Sequence, residues 1–163
     1  MNFLGITKNN CEVYIDSENS HAATHFTDSP KLFNAVVKTI PKISLVGGES
    51  RIDFDTEEIV GTSDLVETDS NDEIIFALRL NRDRYSRFVK NKDATPTTYI
   101  TLAFELIEEK KYKLYTAFIG RLTPSFPGGD YLPEQSKDFW SNHALAWGNQ
   151  EVVPGTETSL CPW

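Results

Sequence analysis

The sequence predicts an α+β fold in which an N-terminal helix packs on a mostly antiparallel β-sheet, followed by a short C-terminal helix and an extended tail. Three observations predict it. Residues 97–106 alternate in period two, with Thr98, Ile100, Leu102, Phe104 and Leu106 on one side and Thr97, Tyr99, Thr101, Ala103 and Glu105 on the other. Leu32, Phe33, Val36, Val37 and Ile40 recur at helical spacing and form one apolar stripe. The chain of 163 residues, 39% hydrophobic and 12% aromatic, has the length and apolar content to bury one core. The expectation is a single domain over 1–163, with its core in about 21–147 and an extended tail over 148–163.

Residues 1–28 hold short apolar pieces, Phe3-Leu4-Gly5-Ile6 and Val13-Tyr14-Ile15, in polar surroundings. They read as a loose lead-in or an edge strand. Ser29-Pro30 is a helix start, with serine at the N-cap and proline in the first turn, and Pro41 ends that helix. Ile52-Asp53-Phe54 and Ile59-Val60-Gly61 look like short strands or a hairpin. The run 73–80 places Ile74, Phe76, Leu78 and Leu80 on one face, and Glu108-Glu109-Lys110-Lys111 connects the main strand to a partner over 112–119. The prolines of 123–130 exclude a central strand. Ser136 is expected to cap a second helix carrying Phe139, Trp140, His143, Ala144 and Trp147, and the tail is expected to be pinned by Val152, Val153 and Trp163.

Charge excludes some functions. With 16 Lys+Arg against 24 Asp+Glu the net charge is −8, which argues against a broad nucleic-acid coat. The charges are segregated, however. Residues 49–73 carry ten acids and one base, whereas 79–92 carry Arg79, Arg82, Arg84, Arg87, Lys90 and Lys92 against Asp83. Screening acts over about 10 Å at ordinary salt, so a basic block can meet phosphates even on an acidic protein. The plainer reading is a solvated loop that balances its acidic neighbour. No apolar run is long enough to span a bilayer, and the first residues carry no secretory pattern, so a cytoplasmic protein is expected. Cys11 and Cys161 make neither a disulfide framework nor a metal pair.

Several side chains are candidates for chemistry. His25 could act as a general base near neutral pH, or be a surface histidine in a loop. His21 and His25 have metal-ligand spacing if their segment is helical, but no third ligand is evident, so neither a metal nor a cofactor is expected. Arg87 and Lys90 suit phosphate, the first as a planar fork and the second as a compact charge. Tyr85, Phe88 and Tyr99 could stack on bases. Thr116 shares the face of Tyr112, Leu114 and Phe118 in a strict alternation, so its hydroxyl needs a partner: a bound phosphate, or a neighbouring chain segment. No phosphate-binding P-loop, dinucleotide GxGxxG, nucleophile elbow or zincin motif is present.

The order of these pieces carries a resemblance. A histidine ahead of a helix, the segment Ser86-Arg87-Phe88-Val89-Lys90, the strand Thr97-Thr98-Tyr99-Ile100-Thr101-Leu102 and the strand Leu114-Tyr115-Thr116-Ala117-Phe118-Ile119-Gly120 together resemble the barnase–EndoU–colicin–RelE class of small metal-independent ribonucleases. With Phe139-Trp140-Ser141-Asn142-His143-Ala144-Leu145 added, the string also resembles a family of uncharacterised bacterial proteins, over roughly 21–147. The resemblance implies toxin-like RNA cleavage by attack of a ribose 2′-OH on the adjacent phosphate. His25 would take the proton, Arg87 and Lys90 would stabilise the phosphorane, and Thr116, with Thr98, would hold a phosphate oxygen. The competing expectation is a non-enzymatic module, immunity-like, whose acidic 49–73 face docks on a basic protein.

Overall fold

The computed structural model describes residues 1–163 and is α+β, with three α-helices and mostly antiparallel strands. In chain order the elements begin with β1 (Asn2–Ile6), β2 (Glu12–Ile15), α1 (His21–Asp28), α2 (Pro30–Thr39), β3 (Glu49–Asp55), β4 (Gly61–Ser63) and β5 (Leu65–Glu67). They continue with β6 (Ile74–Leu78), β7 (Tyr85–Val89), β8 (Thr95–Thr97), β9 (Tyr99–Glu108), β10 (Lys111–Ile119), α3 (Glu134–Ser141) and β11 (His143–Ala146). No helix is long and apolar enough to cross a membrane.

The chain divides into two compact units, Met1–Thr62 with Pro96–Leu122, and Ser63–Thr95 with Thr123–Trp163. Each unit is built from two separate stretches of chain, so no linker marks the division in the sequence. β4 and β8 form a separate two-stranded sheet.

The first unit contains a five-stranded sheet in the order β1-β2-β10-β9-β3, in which only β2 and β10 run parallel. Ser29 caps α2 through its side chain, which accepts from the Leu32 N–H, and Pro30 opens the helix as the sequence predicts. Leu32, Val36 and Ile40 are buried in one cluster with Ile100, Leu102, Phe104 and Leu114. Residues 1–28 are more ordered than a loose lead-in. β1 is an edge strand, and His21–Asp28 forms a further helix whose N-cap Ser20 accepts from the Ala22 N–H. This helix is too short to show apolar periodicity. Burial of Ala22 in the same cluster supplies the packing that holds it.

Two strands depart from simple alternation. β3 pairs along its whole length with β9, Glu49 opposite Glu105 through Asp55 opposite Tyr99, rather than folding back on 59–61. In β10 a bulge between Leu114 and Thr116 inserts one extra residue against β9, where Leu114 opposes Phe104 and Thr116 opposes Ala103. The inward positions therefore run Tyr112, Leu114, Ala117. Thr116 and Phe118 turn to the other face, which corrects the expectation that Thr116 shares a face with Tyr112 and Leu114.

The second unit contains a four-stranded sheet ordered β5-β11-β7-β6, with β11 parallel to β7. Phe126 stacks on Trp140 at 3.8 Å between ring centroids, and Ala77, Phe88 and Leu145 complete that core. The second helix ends earlier than its sequence suggests. Ser136 lies inside α3 rather than at its cap, and His143 to Ala146 form a strand. Pairing of Leu145 with both Phe88 and Leu65 overrides the helical pattern, because it buries Ala144, Leu145 and Ala146 between two strands. The tail is extended and held by single bridges, Val152 to Arg79 and Thr158 to Phe76, and Trp163 packs edge-on against Phe76.

Candidate anion-binding cleft

The residues expected to act together divide between the units. His25, Thr98, Tyr99 and Thr116 belong to the first, and Tyr85, Arg87, Phe88 and Lys90 to the second. Within the first unit, α1 lies on the sheet face lined by Leu114 and Ala117, whereas Thr116 faces away from it. His25 and Thr116 are thus on opposite sides of that sheet, and neither unit by itself gathers an imidazole, two cations and a hydroxyl around one phosphate.

Other demands occupy several of these side chains. Arg87 donates through one terminal nitrogen to Thr68 Oγ1 at 2.8 Å and to the His143 carbonyl at 2.8 Å. Burial lowers its pKa from the ordinary arginine value. The guanidinium ties β7 to Thr68, just after β5, and to the first residue of β11. Phe88 is fully buried and meets Trp147 edge-on, so its ring has no face open to a base. Lys90 places its ammonium 5.4 Å from the Trp147 ring centroid. Tyr99 is covered by the Arg121 guanidinium at 4.6 Å, and the Thr98 hydroxyl, close to the Asp55 carboxyl, lowers that group's pKa. Tyr85 is half-buried in β7.

His25 is on a helix, not in a loop ahead of one, and its Nε2 lies 3.0 Å from that of His21. Burial holds its pKa below the ordinary imidazole value, and repulsion from His21 adds to this. No further His, Cys, Asp or Glu joins the pair to make a cluster of three metal ligands.

The acidic stretch is divided as well, residues 49–62 lying in the first unit and 63–73 in the second. Part of its charge is used internally. Asp53 pairs with Arg121, Asp72 pairs with Lys92, and Asp64 accepts from Asn149 and Gln150.

The second unit carries a cleft of about 330 Å³, lined among others by Arg79, Arg82 and Arg84, with Trp140 and Phe126 in its wall. The arginines sit on the connection between β6 and β7, where Asn81 takes a left-handed conformation (φ 61°) that bends the turn. Arg79 is half-buried and donates from Nε to Ser86 Oγ at 2.7 Å and from a terminal nitrogen to Gln150 Oε1 at 2.9 Å. Burial lowers its pKa, with a further contribution from Arg82. The Arg84 guanidinium lies 4.5 Å from the Tyr131 centroid, and one of its terminal nitrogens donates to the Phe126 carbonyl at 3.4 Å.

None of these three arginines forms an ion pair within 4.0 Å, although Asp83 also lines the cleft. The hydrogen-bond partners of Arg79 are neutral, and three arginines against the one carboxylate of Asp83 leave a net positive charge in a partly dehydrated site. Such a site attracts an anion, because burying a cation is costly until a counter-charge joins it. The sequence marks the whole block 79–92 as basic but does not separate Arg79, Arg82 and Arg84 from Arg87 and Lys90. The available signal is the turn-former Asn81 between two apolar runs, which groups the first three on one connection.

Comparison with known protein families, with curated proteins and with solved structures finds no match to this chain.

Proposed function

We propose that this chain is a binding module that holds the phosphates of a single RNA strand in the arginine cleft of its second unit, without cleaving the RNA. The observation that carries the reading is the set of three cleft arginines lacking any carboxylate partner. The guanidinium fork matches phosphate oxygens two at a time. A volume of about 330 Å³ lies at the lower end of small-ligand sites, enough for one nucleotide unit rather than a duplex. Trp140 and Phe126 stack on each other, so recognition in this cleft rests on charge rather than on base stacking.

Cleavage by 2′-OH attack would need a base beside those phosphates. The histidine of the second unit, His143, bonds the Phe139 carbonyl at 2.9 Å through Nδ1 and stacks on the Phe139 ring at 4.0 Å. No histidine lines the cleft. Fluorescence anisotropy with an end-labelled single-stranded RNA tests the reading. Neutralising the two phosphates that flank one nucleotide unit gives a slope of log K against log salt of about −1.4 between roughly 50 and 200 mM. Absent or salt-independent binding refutes the cleft reading, whereas cyclic-phosphate ends in the presence of chelator would restore the nuclease.

A further inference from the structure

We propose that His21 and His25 form a two-nitrogen chelating site for a divalent transition-metal ion, Ni2+ or Cu2+ in geometry and Zn2+ after a small opening of the pair. The proposal is independent of the arginine cleft, which belongs to the other unit. The two residues are one helical turn apart on α1, and their Nε2 atoms are 3.0 Å apart. Metal–imidazole bonds are about 2.0–2.1 Å long, so two nitrogens on one ion stand about 3.0 Å apart at a right angle and about 3.4 Å apart at a tetrahedral angle. The observed separation matches adjacent positions of a square-planar or octahedral ion, the geometry that copper and nickel favour.

Without metal, one imidazole donates its Nε2 proton to the other, and the rings meet edge to face at 89°. On metal binding the donor ring carries its proton on Nδ1 instead, so that both Nε2 atoms offer lone pairs, and each ring turns so that these converge on the ion. His21 is exposed and His25 half-exposed, so an ion can reach the pair from solvent. No third His, Cys, Asp or Glu completes the set, so the remaining positions go to water. An ion held by two helical side chains is exchangeable, and it ties the first turn of α1 to its last. Ser20 and Ala22 fix the start of that helix, and packing against β10 holds its body, so the chelate is presented on a preformed frame.

The test is calorimetric titration of the full-length protein with Ni2+ in a non-coordinating buffer, with His21→Gln, His25→Gln and His143→Gln variants alongside. The expected result is one saturable site. A linked pair gains about 100-fold or more over a single ligand, so His21→Gln and His25→Gln each weaken binding by about that factor while His143→Gln does not. As a measurement that needs no variant, substoichiometric Cu2+ should broaden the ring proton signals of His21 and His25 together, ahead of those of His143. Binding unchanged by His21→Gln, no saturable site below about 1 mM Ni2+, or broadening of only one ring overturns the proposal.

Discussion

Replacing Arg87 with alanine separates two roles that one residue could have. If Arg87 is the clamp its hydrogen bonds describe, removing it costs folding stability and leaves RNA affinity in the folded protein nearly intact. Two bonds are lost, to Thr68 Oγ1 and to the His143 carbonyl. A hydrogen bond to a charged donor contributes about 1.5–3 kcal/mol, and partial exposure places this pair at the low end, so the loss should be about 2–3 kcal/mol. With a urea dependence of about 2 kcal/mol per molar, the midpoint of unfolding falls by about 1–1.5 M. Thr68→Val should account for about 1 kcal/mol of this, and the double variant should show non-additivity, because the two side chains share one bond. Circular dichroism during urea unfolding measures stability, and anisotropy with labelled RNA measures binding. Unchanged unfolding with a large loss of RNA affinity would refute the clamp and return Arg87 to the binding machinery.

The remaining predictions concern the cleft, its wall and the acid limb of stability. Arg82→Ala combined with Arg84→Ala should reduce the salt dependence of RNA binding by about one in the slope, with little change in thermal melting. Gly128→Ala places a Cβ 2.9 Å from the Arg84 Cγ and 3.3 Å from its Cβ, so the backbone near Arg84 must shift as well, and the change should weaken RNA binding severalfold and lower the unfolding midpoint. Ser136→Ala removes the donor from the buried Ser136 hydroxyl to the Ser125 carbonyl, which water can still reach, and should cost about 0.5–1.5 kcal/mol in a urea melt. Asp72 accepts from the Asp69 N–H and from Lys92 and Asn91, which lowers its pKa. A depressed carboxylate contributes stability above its ordinary value, near 3.9, and loses it as pH falls through the lowered one. Asp72→Asn should therefore flatten the loss of stability in that acid range when thermal midpoints are compared across pH.

Local signals made part of this fold legible. Ser29-Pro30 and the stripe through Val36 gave α2, and the alternation around Leu102 gave β9, because each records a backbone period within a few residues. The bulge in β10 was not legible. One inserted residue leaves composition unchanged yet reverses which side chains face inward, and it carried Thr116 to the other face. Residues 143–146 read as helix because Trp140, His143, Ala144 and Trp147 fit its spacing, but two neighbouring strands recruited them. For the candidate site, the sequence supplied a basic block but not its division. Arg87 turned inward to bond Thr68, a residue 19 positions away, whereas Arg79, Arg82 and Arg84 remained around a cleft.

By itself the sequence determined the α+β class, the strong helix start, the main hairpin and the segregation of charge, all of which depend on neighbours along the chain. The tertiary structure alone decided that two discontinuous stretches build each unit, that the expected catalytic residues are divided between those units, and that three arginines have no ion-pair partner. The physical reason is range. Propensity, capping and periodicity act over a few residues, whereas burial, strand partnership and charge pairing depend on which distant segments meet.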